Sequence, residues 1–316
     1  MGLRNPNNTE QVTEFILMGF QLPRPLELLL FVVFLAVFLL TLAGNVTIIA
    51  LVCLNQHLHT PMYLFLGNFS LVETLFVLSI TPKMLVNLLS SDKAISILGC
   101  ITQCYFYFSL GACESSLIAV MAFDRYVAIC YPLRDAVIMN RQRCSTLMLG
   151  CWVGGFLALF GPMPFLLRLP FCGSNRIDHF FCDYAPIIKL SCSQNVLSLL
   201  VVETILSSVL LLSSLTVNGV SYLYIIATIL RMRSSKGRQK TFSTCASHIT
   251  VASVFFASSI FMYSLPSKGC SQEVQKAVAI LTAVVTPLLN PFIYTLRNGK
   301  VKDVLKNCLK KWAWFQ

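Results

Sequence analysis

The chain has 316 residues, of which 56% are hydrophobic and 12% charged, and its formal net charge is +11. Soluble domains carry about 25% charged residues, so this composition excludes an ordinary soluble globular protein. The apolar residues fall in seven long blocks, at 28–52, 62–89, 95–122, 145–167, 196–230, 241–265 and 277–296. A helix needs about 20 apolar residues to cross a bilayer, and lipid offers no partner for an open backbone. The predicted fold is therefore an all-α membrane protein, a seven-transmembrane helix bundle over 28–296. An extracellular tail, 1–27, precedes it. A cytoplasmic tail, 297–316, follows and carries a short amphipathic helix.

The N-terminal tail is polar and contains the sequon Asn7-Asn8-Thr9, a candidate glycosylation site at Asn7. No apolar signal region precedes the first block, so the first helix is expected to act as its own insertion signal. That block carries Asn45, a mid-membrane amide of the kind that bonds to a neighbouring helix. The sequons at Asn45 and Asn68 lie inside spans and are expected to stay unmodified. His57 and His59 follow in a short loop and read as solvated side chains rather than metal ligands. Pro61 suits the first turn of the second helix.

Glu73 in the second block and Glu114 in the third are intramembrane acids, which mark function by default. They either share a proton or cation at the bundle centre, or each is neutral and hydrogen-bonded. The third block ends in Phe123-Asp124-Arg125-Tyr126, where the adjacent acid and base are either a headgroup anchor or a switch. An arginine there can hold its neighbouring acid at rest and release it for an intracellular partner.

Orientation follows from the basic residues. With the start of the chain outside, Arg125–Arg143, Arg231–Lys240 and Arg297–Lys311 all fall inside, against Asp124, Asp135 and Asp303. The positive charge belongs to the cytoplasmic face, which points to anionic lipid and an intracellular protein rather than nucleic acid. The expected location is the plasma membrane, multi-pass, with the C-terminus cytoplasmic. Cys100, Cys172, Cys182 and Cys192 sit at the outer face, where cysteines mature in an oxidising compartment and pair. Four cysteines allow three connectivities. The cysteine-rich loop of residues 168–195 is expected to be an ordered lid. The last span contains Pro287 and Pro291, which free carbonyls and create a polar seam near the inner face. Beyond it, Cys308 on the amphipathic segment is a candidate palmitoylation site.

Five runs, in order, resemble the signatures of olfactory receptors, a branch of the rhodopsin-like G-protein-coupled receptors. They are Leu58-His59-Thr60-Pro61-Met62-Tyr63, the run from Met121 to Cys130, Ser221-Tyr222, the run from Lys240 to His248, and Pro287-Leu288-Leu289-Asn290-Pro291-Phe292-Ile293-Tyr294. The chain is similar to the larger, tetrapod-type class. The resemblance implies a receptor, not an enzyme, that binds small volatile odorants and activates the stimulatory olfactory G protein to raise cyclic AMP. It implies disulfides Cys100–Cys182 and Cys172–Cys192. Asp124, Arg125 and Tyr126 match the family's G-protein switch, and Tyr222, His248, Asn290, Pro291 and Tyr294 match its partners. Glu73 and Glu114 match an inner acidic pair that holds sodium, with no other cofactor implied. Phe123 stands where Tyr is commoner, and Phe255-Phe256-Ala257-Ser258 departs from the usual Phe-Tyr-Gly-Thr.

Carried onto this chain, the family's ligand pocket is lined by Tyr107, Phe108, Gly111 and Ala112, then Leu206 and Ser207, then Phe256, Ser259, Ile260 and Tyr263, then Ile280 and Ala283. The third- and sixth-helix sets recur at the spacing of one helix face, which a core stripe would show as well. Glu203, near the outer edge, either favours a basic amine or faces water. The alternative functions are the same fold sensing a metabolite in another tissue, or a transporter, which would show matching halves and broken helices.

Overall fold

A computed structural model describes residues 12–172, 174–193, 196–264, 272–297, 301, 302 and 304. Seven helices in it are long and apolar enough to cross a membrane. They are built from α1 (Arg24–Leu54), α2 (Pro61–Leu89), α3 (Ile97–Cys130), α5 (Arg141–Phe160) continued by α6 (Met163–Leu167), α8 (Val196–Arg231), α9 (Ser235–Ser264), and α10 (Gln272–Ile280) joined through a π-turn (Leu281–Val285) to α11 (Thr286–Arg297). Short helices α4 (Asp135–Ile138) and α7 (Tyr184–Lys189) lie in the connections. Of the expected C-terminal amphipathic helix, Val301, Lys302 and Val304 are helical, with Val301 buried against the bundle. Asn7 and Cys308 lie outside the described residues.

Local chemistry sets the helix starts. Pro61 opens α2 in its first turn, where its missing N–H costs nothing. The Ser96 hydroxyl accepts from the Gly99 N–H at 3.1 Å to cap α3, and the Asn140 amide oxygen accepts from the Arg143 N–H at 2.9 Å to cap α5. α3 runs through the middle of the bundle, with Leu110, Cys113 and Leu117 fully enclosed. α8 turns most of its apolar surface outward, Leu223 being 70% exposed, as suits a face against lipid. Glycines mark the closest approaches. A Cβ at Gly155 of α5 would come within 2.9 Å of the Ser109 carbonyl oxygen on α3, and one at Gly44 of α1 would lie 3.0 Å from Pro291 on α11.

The outer face carries structure that the sequence reading treated as tail and loop. Residues Glu14–Leu17 form β1, which pairs antiparallel with β2 (Ala94–Ser96) and parallel with β3 (Arg176–Ile177), in the order β2-β1-β3. Phe15 and Leu17 are fully buried beneath this sheet, with Cys100, Cys182 and Tyr184 in the same apolar cluster. Alternation along β1 explains it, since period-two side chains place both large residues on one face. Disulfides join Cys100 to Cys182 and Cys172 to Cys192. The Gln103 side chain adds to the first crosslink, accepting from the Cys182 N–H at 3.0 Å and donating to the Ser79 carbonyl at 2.9 Å. Lys276 on α10, 5% exposed at its side chain, pairs with Asp178 of the lid at 2.7 Å. The lid is thus tied to the second, third and seventh spans.

Candidate ligand cavity and inner switch

Beneath the lid lies a cavity of about 550 Å³. Its α3 wall is Tyr107, Phe108, Gly111, Ala112, Glu114 and Ser115, four of which the sequence had assigned there. Glu203 and Ser207 face it from α8 and Ser259 from α9. A Cβ at Gly111 would meet nothing within 4 Å, so the glycine opens directly onto this space.

Five assigned residues are not among the lining. Ile260 is 38% exposed on the outer surface of α9. Phe256 is buried in the bundle, edge-on to Phe255 at 5.3 Å. The cavity face of α9 is instead Phe255, Ser259 and Met262, a stripe at steps of four and three. On α8 the stripe Glu203, Ser207, Leu210 and Leu211 passes Leu206 by. Ile280 and Ala283 belong to the bundle core. The cavity face of this span is instead Gln275 and Thr282, seven residues apart and so on one helix face, just before and within the π-turn at Leu281–Val285. The Tyr263 side chain lies outside the described residues.

The lid supplies lining that the sequence reading did not assign, notably Arg176, Asp183, Tyr184 and Lys189. Asp183 caps α7, its carboxylate accepting from the Tyr184 N–H at 2.8 Å. Burial, with Glu203 nearby, pushes the Asp183 carboxyl up to about 6. Tyr184 is 2% exposed and its hydroxyl has no partner among the described residues. Burial and the same glutamate push that phenol up. Glu203 is 9% exposed, facing the cavity rather than water, and its carboxylate accepts from the Ser207 hydroxyl at 2.8 Å. His179, beside the cavity and 5% exposed, has both ring nitrogens unpartnered among the described residues, and burial holds it down at about 4, a neutral ring. Asp183-Tyr184 left one signal in the sequence, an N-cap residue before Ala185-Pro186, but no periodicity points a loop residue at a cavity.

Deeper in the bundle, Asn290 on α11 donates to one oxygen of Glu73 on α2. Asn45 on α1 donates to the carbonyls of Thr41 at 3.2 Å and Pro287 at 3.5 Å. The Pro287 carbonyl is the one that Pro291, lacking an N–H, leaves without its helical donor. Asn45 therefore fills the gap that the proline opens. Among the described residues the second Glu73 oxygen and the Asn45 amide oxygen are buried without a donor, the Asn45 side chain lying beside Glu73. Glu114 is near enough for its charge to bear on Glu73. Asn45 is fully enclosed, leaving no room for a glycan.

At the inner end of α3, Arg125 donates through Nε to Asp124 at 2.9 Å and through Nη2 to the same oxygen. Asp124 is 2% exposed and Arg125 15% exposed at the side chain. A headgroup anchor would reach outward, whereas this pair is turned into the bundle. The Arg125 charge bears on Tyr222 of α8 and His248 of α9, so four of the expected switch residues converge. Tyr126 turns to another face, its ring against Tyr131 and Tyr224 at 5.6 Å each. Phe123 is 36% exposed, with its ring toward Tyr126. Asn290 and Pro291 sit with Glu73 and Gly44 rather than at the arginine. The Tyr294 side chain is outside the described residues.

The fold resembles squid rhodopsin, with a TM-score of 0.67 over 93% of this chain and 88% of that one, at 15% identity. The chain is 49% identical to human olfactory receptor 6J1 over 95% of its length and 86% of the relative's. It is 46% identical to human olfactory receptor 6T1, covering 96% of this chain and 94% of that one. Mouse olfactory receptor 6E1 is 45% identical over 98% of both. A family model described as olfactory receptor matches residues 34–311. This multi-pass membrane protein, with its disulfide-tied lid over a bundle cavity, belongs to the olfactory receptor family.

Proposed function

We propose that the protein is an odorant receptor of the plasma membrane. Its N-terminus is outside, a small volatile molecule occupies the cavity beneath the lid, and the inner ends of α3, α8 and α9 engage the stimulatory olfactory G protein to raise cyclic AMP. The observation that carries this reading is the cavity of about 550 Å³, walled by α3, α8, α9 and the crosslinked lid, in a chain of this family. Small-molecule sites have this size and this mix of aromatic walls with a few polar groups. Burying about 150 Å² of an odorant at about 25 cal/mol/Å² contributes about 4 kcal/mol. One or two hydrogen bonds add about 1 kcal/mol each. The sum before association costs corresponds to roughly millimolar to tens of micromolar affinity, which suits rapid release.

Ligand reaches the switch by shifting a population. Contacts on Phe255, Ser259 and Met262 favour a position of α9 that opens the inner end. Arg125 then leaves Asp124 and meets the G protein. Arg125→Ala is expected to abolish odorant-evoked cyclic AMP while surface expression persists. A retained response would overturn the switch.

The acidic centre fits a sodium ion, because two acceptor oxygens, on Glu73 and Asn45, are buried there without donors. Hard cations take oxygen ligands of this kind. Glu73 and Asn45 would hold the ion, and Glu114 would add charge. The ion would neutralise the site and favour the resting packing of α2 against α11. Sodium, compared with choline at equal ionic strength, is expected to raise the thermal stability of the purified protein, and equal stability in both would refute the assignment.

A further inference from the structure

We propose, resting on the receptor reading above, that the cavity is built for a protonated amine. In this arrangement Glu203, Asp183 and the Tyr184 hydroxyl receive the ammonium of a small organic amine, while Tyr107 and Phe108 enclose its apolar body. Three carboxyls, Glu114, Asp183 and Glu203, line the cavity without a salt bridge among the described residues. Glu203 is buried and its single described partner is a hydroxyl. A buried acid held only by a neutral group leaves a charge or a proton to be dealt with, since ionisation without a counter-charge is costly. Independently of the acids, Tyr184 lines the cavity and is 98% enclosed, and its buried hydroxyl has no partner among the described residues. A phenol oxygen accepts as well as donates, so it can take an N–H from an ammonium that already meets Glu203. The charge of Glu203 bears on both Asp183 and Tyr184, which places the three groups around one space.

The walls agree with a cation. The lining rings of Tyr107 and Phe108, and of Phe108 and Tyr184, follow one another at centroid distances of 5.1 and 6.4 Å, with the buried Phe181 ring packed on Tyr107 at 4.6 Å. Aromatic faces stabilise an ammonium through the ring quadrupole. The cations that share the lining, Arg176 and Lys189, are exposed, and Lys276 is already committed to Asp178. An anionic ligand would have to sit among three carboxyls. A neutral alcohol would satisfy the Tyr184 hydroxyl but leave the acids uncompensated. No group of three or more metal-ligating side chains occurs among the described residues, which disfavours a divalent ion as the occupant. Near neutral pH, aliphatic amines are protonated, as lysine is.

The test uses the full-length receptor in lipid nanodiscs and in cells. Cyclohexylmethylamine and benzylamine are compared with cyclohexylmethanol and benzyl alcohol. Thermal unfolding reads binding, and cyclic AMP reads signalling. At least one amine is expected to stabilise the protein at concentrations about tenfold or more below those of its alcohol. Glu203→Gln should weaken that amine about tenfold or more, the loss typical of removing a buried charged partner, and leave the alcohol unchanged. Tyr184→Phe, which retains the ring, should weaken the amine less. If Glu203→Gln does not fold, the amine–alcohol comparison on the native chain and the Tyr184→Phe result decide alone. Alcohols binding as well as amines, or no amine binding at all, would overturn the proposal. Alcohols that raise cyclic AMP while amines do nothing would overturn it and leave the receptor reading standing. Amines that stabilise the protein without any cyclic AMP response would support the site and count against the transduction reading.

Discussion

The outer and inner halves of the bundle both bury polar groups, but they pair them to different extents. In the inner half most of the named polar groups engage one another, with one oxygen each of Glu73 and Asn45 left without a donor among the described residues. Asn290 serves Glu73, Asn45 serves the carbonyl freed by Pro291, and Arg125 holds Asp124. Around the outer cavity, the Tyr184 hydroxyl and both nitrogens of His179 have no partner among the described residues. A buried polar group without a partner costs free energy, whereas a paired one is close to neutral or stabilising. The inner half is therefore arranged to hold one resting packing together. The outer half forgoes stability around an open space, as a site does when it awaits a molecule.

That contrast can be broken by mutation. Asn290→Ala removes the donor of a Glu73 oxygen and should destabilise the unliganded protein by about 1–3 kcal/mol. Tyr184→Phe removes a buried hydroxyl that has no partner and should leave the unliganded protein as stable or up to about 1 kcal/mol more so. Thermal unfolding of both variants in nanodiscs gives the comparison, and a loss of equal size at the two positions would mean the halves do not differ.

A finer effect separates two lid residues by pH. The folded lid keeps His179 neutral down to about 4, while an unfolded histidine takes its proton near its ordinary value. In that window the unfolded chain binds more protons, so this contribution to stability is lost as pH falls. Asp183 acts in the other direction. Its folded carboxyl takes a proton at about 6, before an unfolded aspartate would, so its contribution rises as pH falls. The two offset in the native chain. His179→Gln leaves Asp183 alone, and the variant should gain stability relative to the native chain between pH 7 and pH 5. Parallel pH profiles for the two proteins would contradict this.

Much of the bundle could be read from the sequence, and physical reasons separate what could from what could not. Seven apolar blocks can only be helices in lipid, and the family resemblance implied both disulfide pairs, which the structure forms, and the pairing of Arg125 with Asp124. Four of the assigned α3 residues line the cavity because an unbroken helix keeps its phase. The assignments drifted on α9 and on the seventh span, where one residue of phase moves the lining from Phe256 to Phe255 and from Ala283 to Thr282. Glu203 was read as a choice between solvent and ligand, and only the packing of the lid against α8 buries it. The contribution of Asp183 and Tyr184 was hidden for a related reason. Their direction is set by the Cys100–Cys182 crosslink and a short helix, not by any repeating pattern. β1 was concealed because Phe15-Ile16-Leu17 is a short apolar run with no alternation in the sequence to mark a strand.

The central claim is that the space beside Gly111 receives the ligand and that its occupancy drives the inner switch. The most direct measurement fills that space. Gly111→Phe places a ring in the cavity, whereas Gly154→Phe places the same ring on an exposed face of α5 with nothing within 4 Å of its Cβ. Both variants, matched for surface expression, are compared with the native chain in cyclic AMP responses to a panel of odorants and small amines. Loss of every response in Gly111→Phe, with responses kept in Gly154→Phe, is the expected result. Responses of native potency in Gly111→Phe would contradict the account and place the ligand elsewhere.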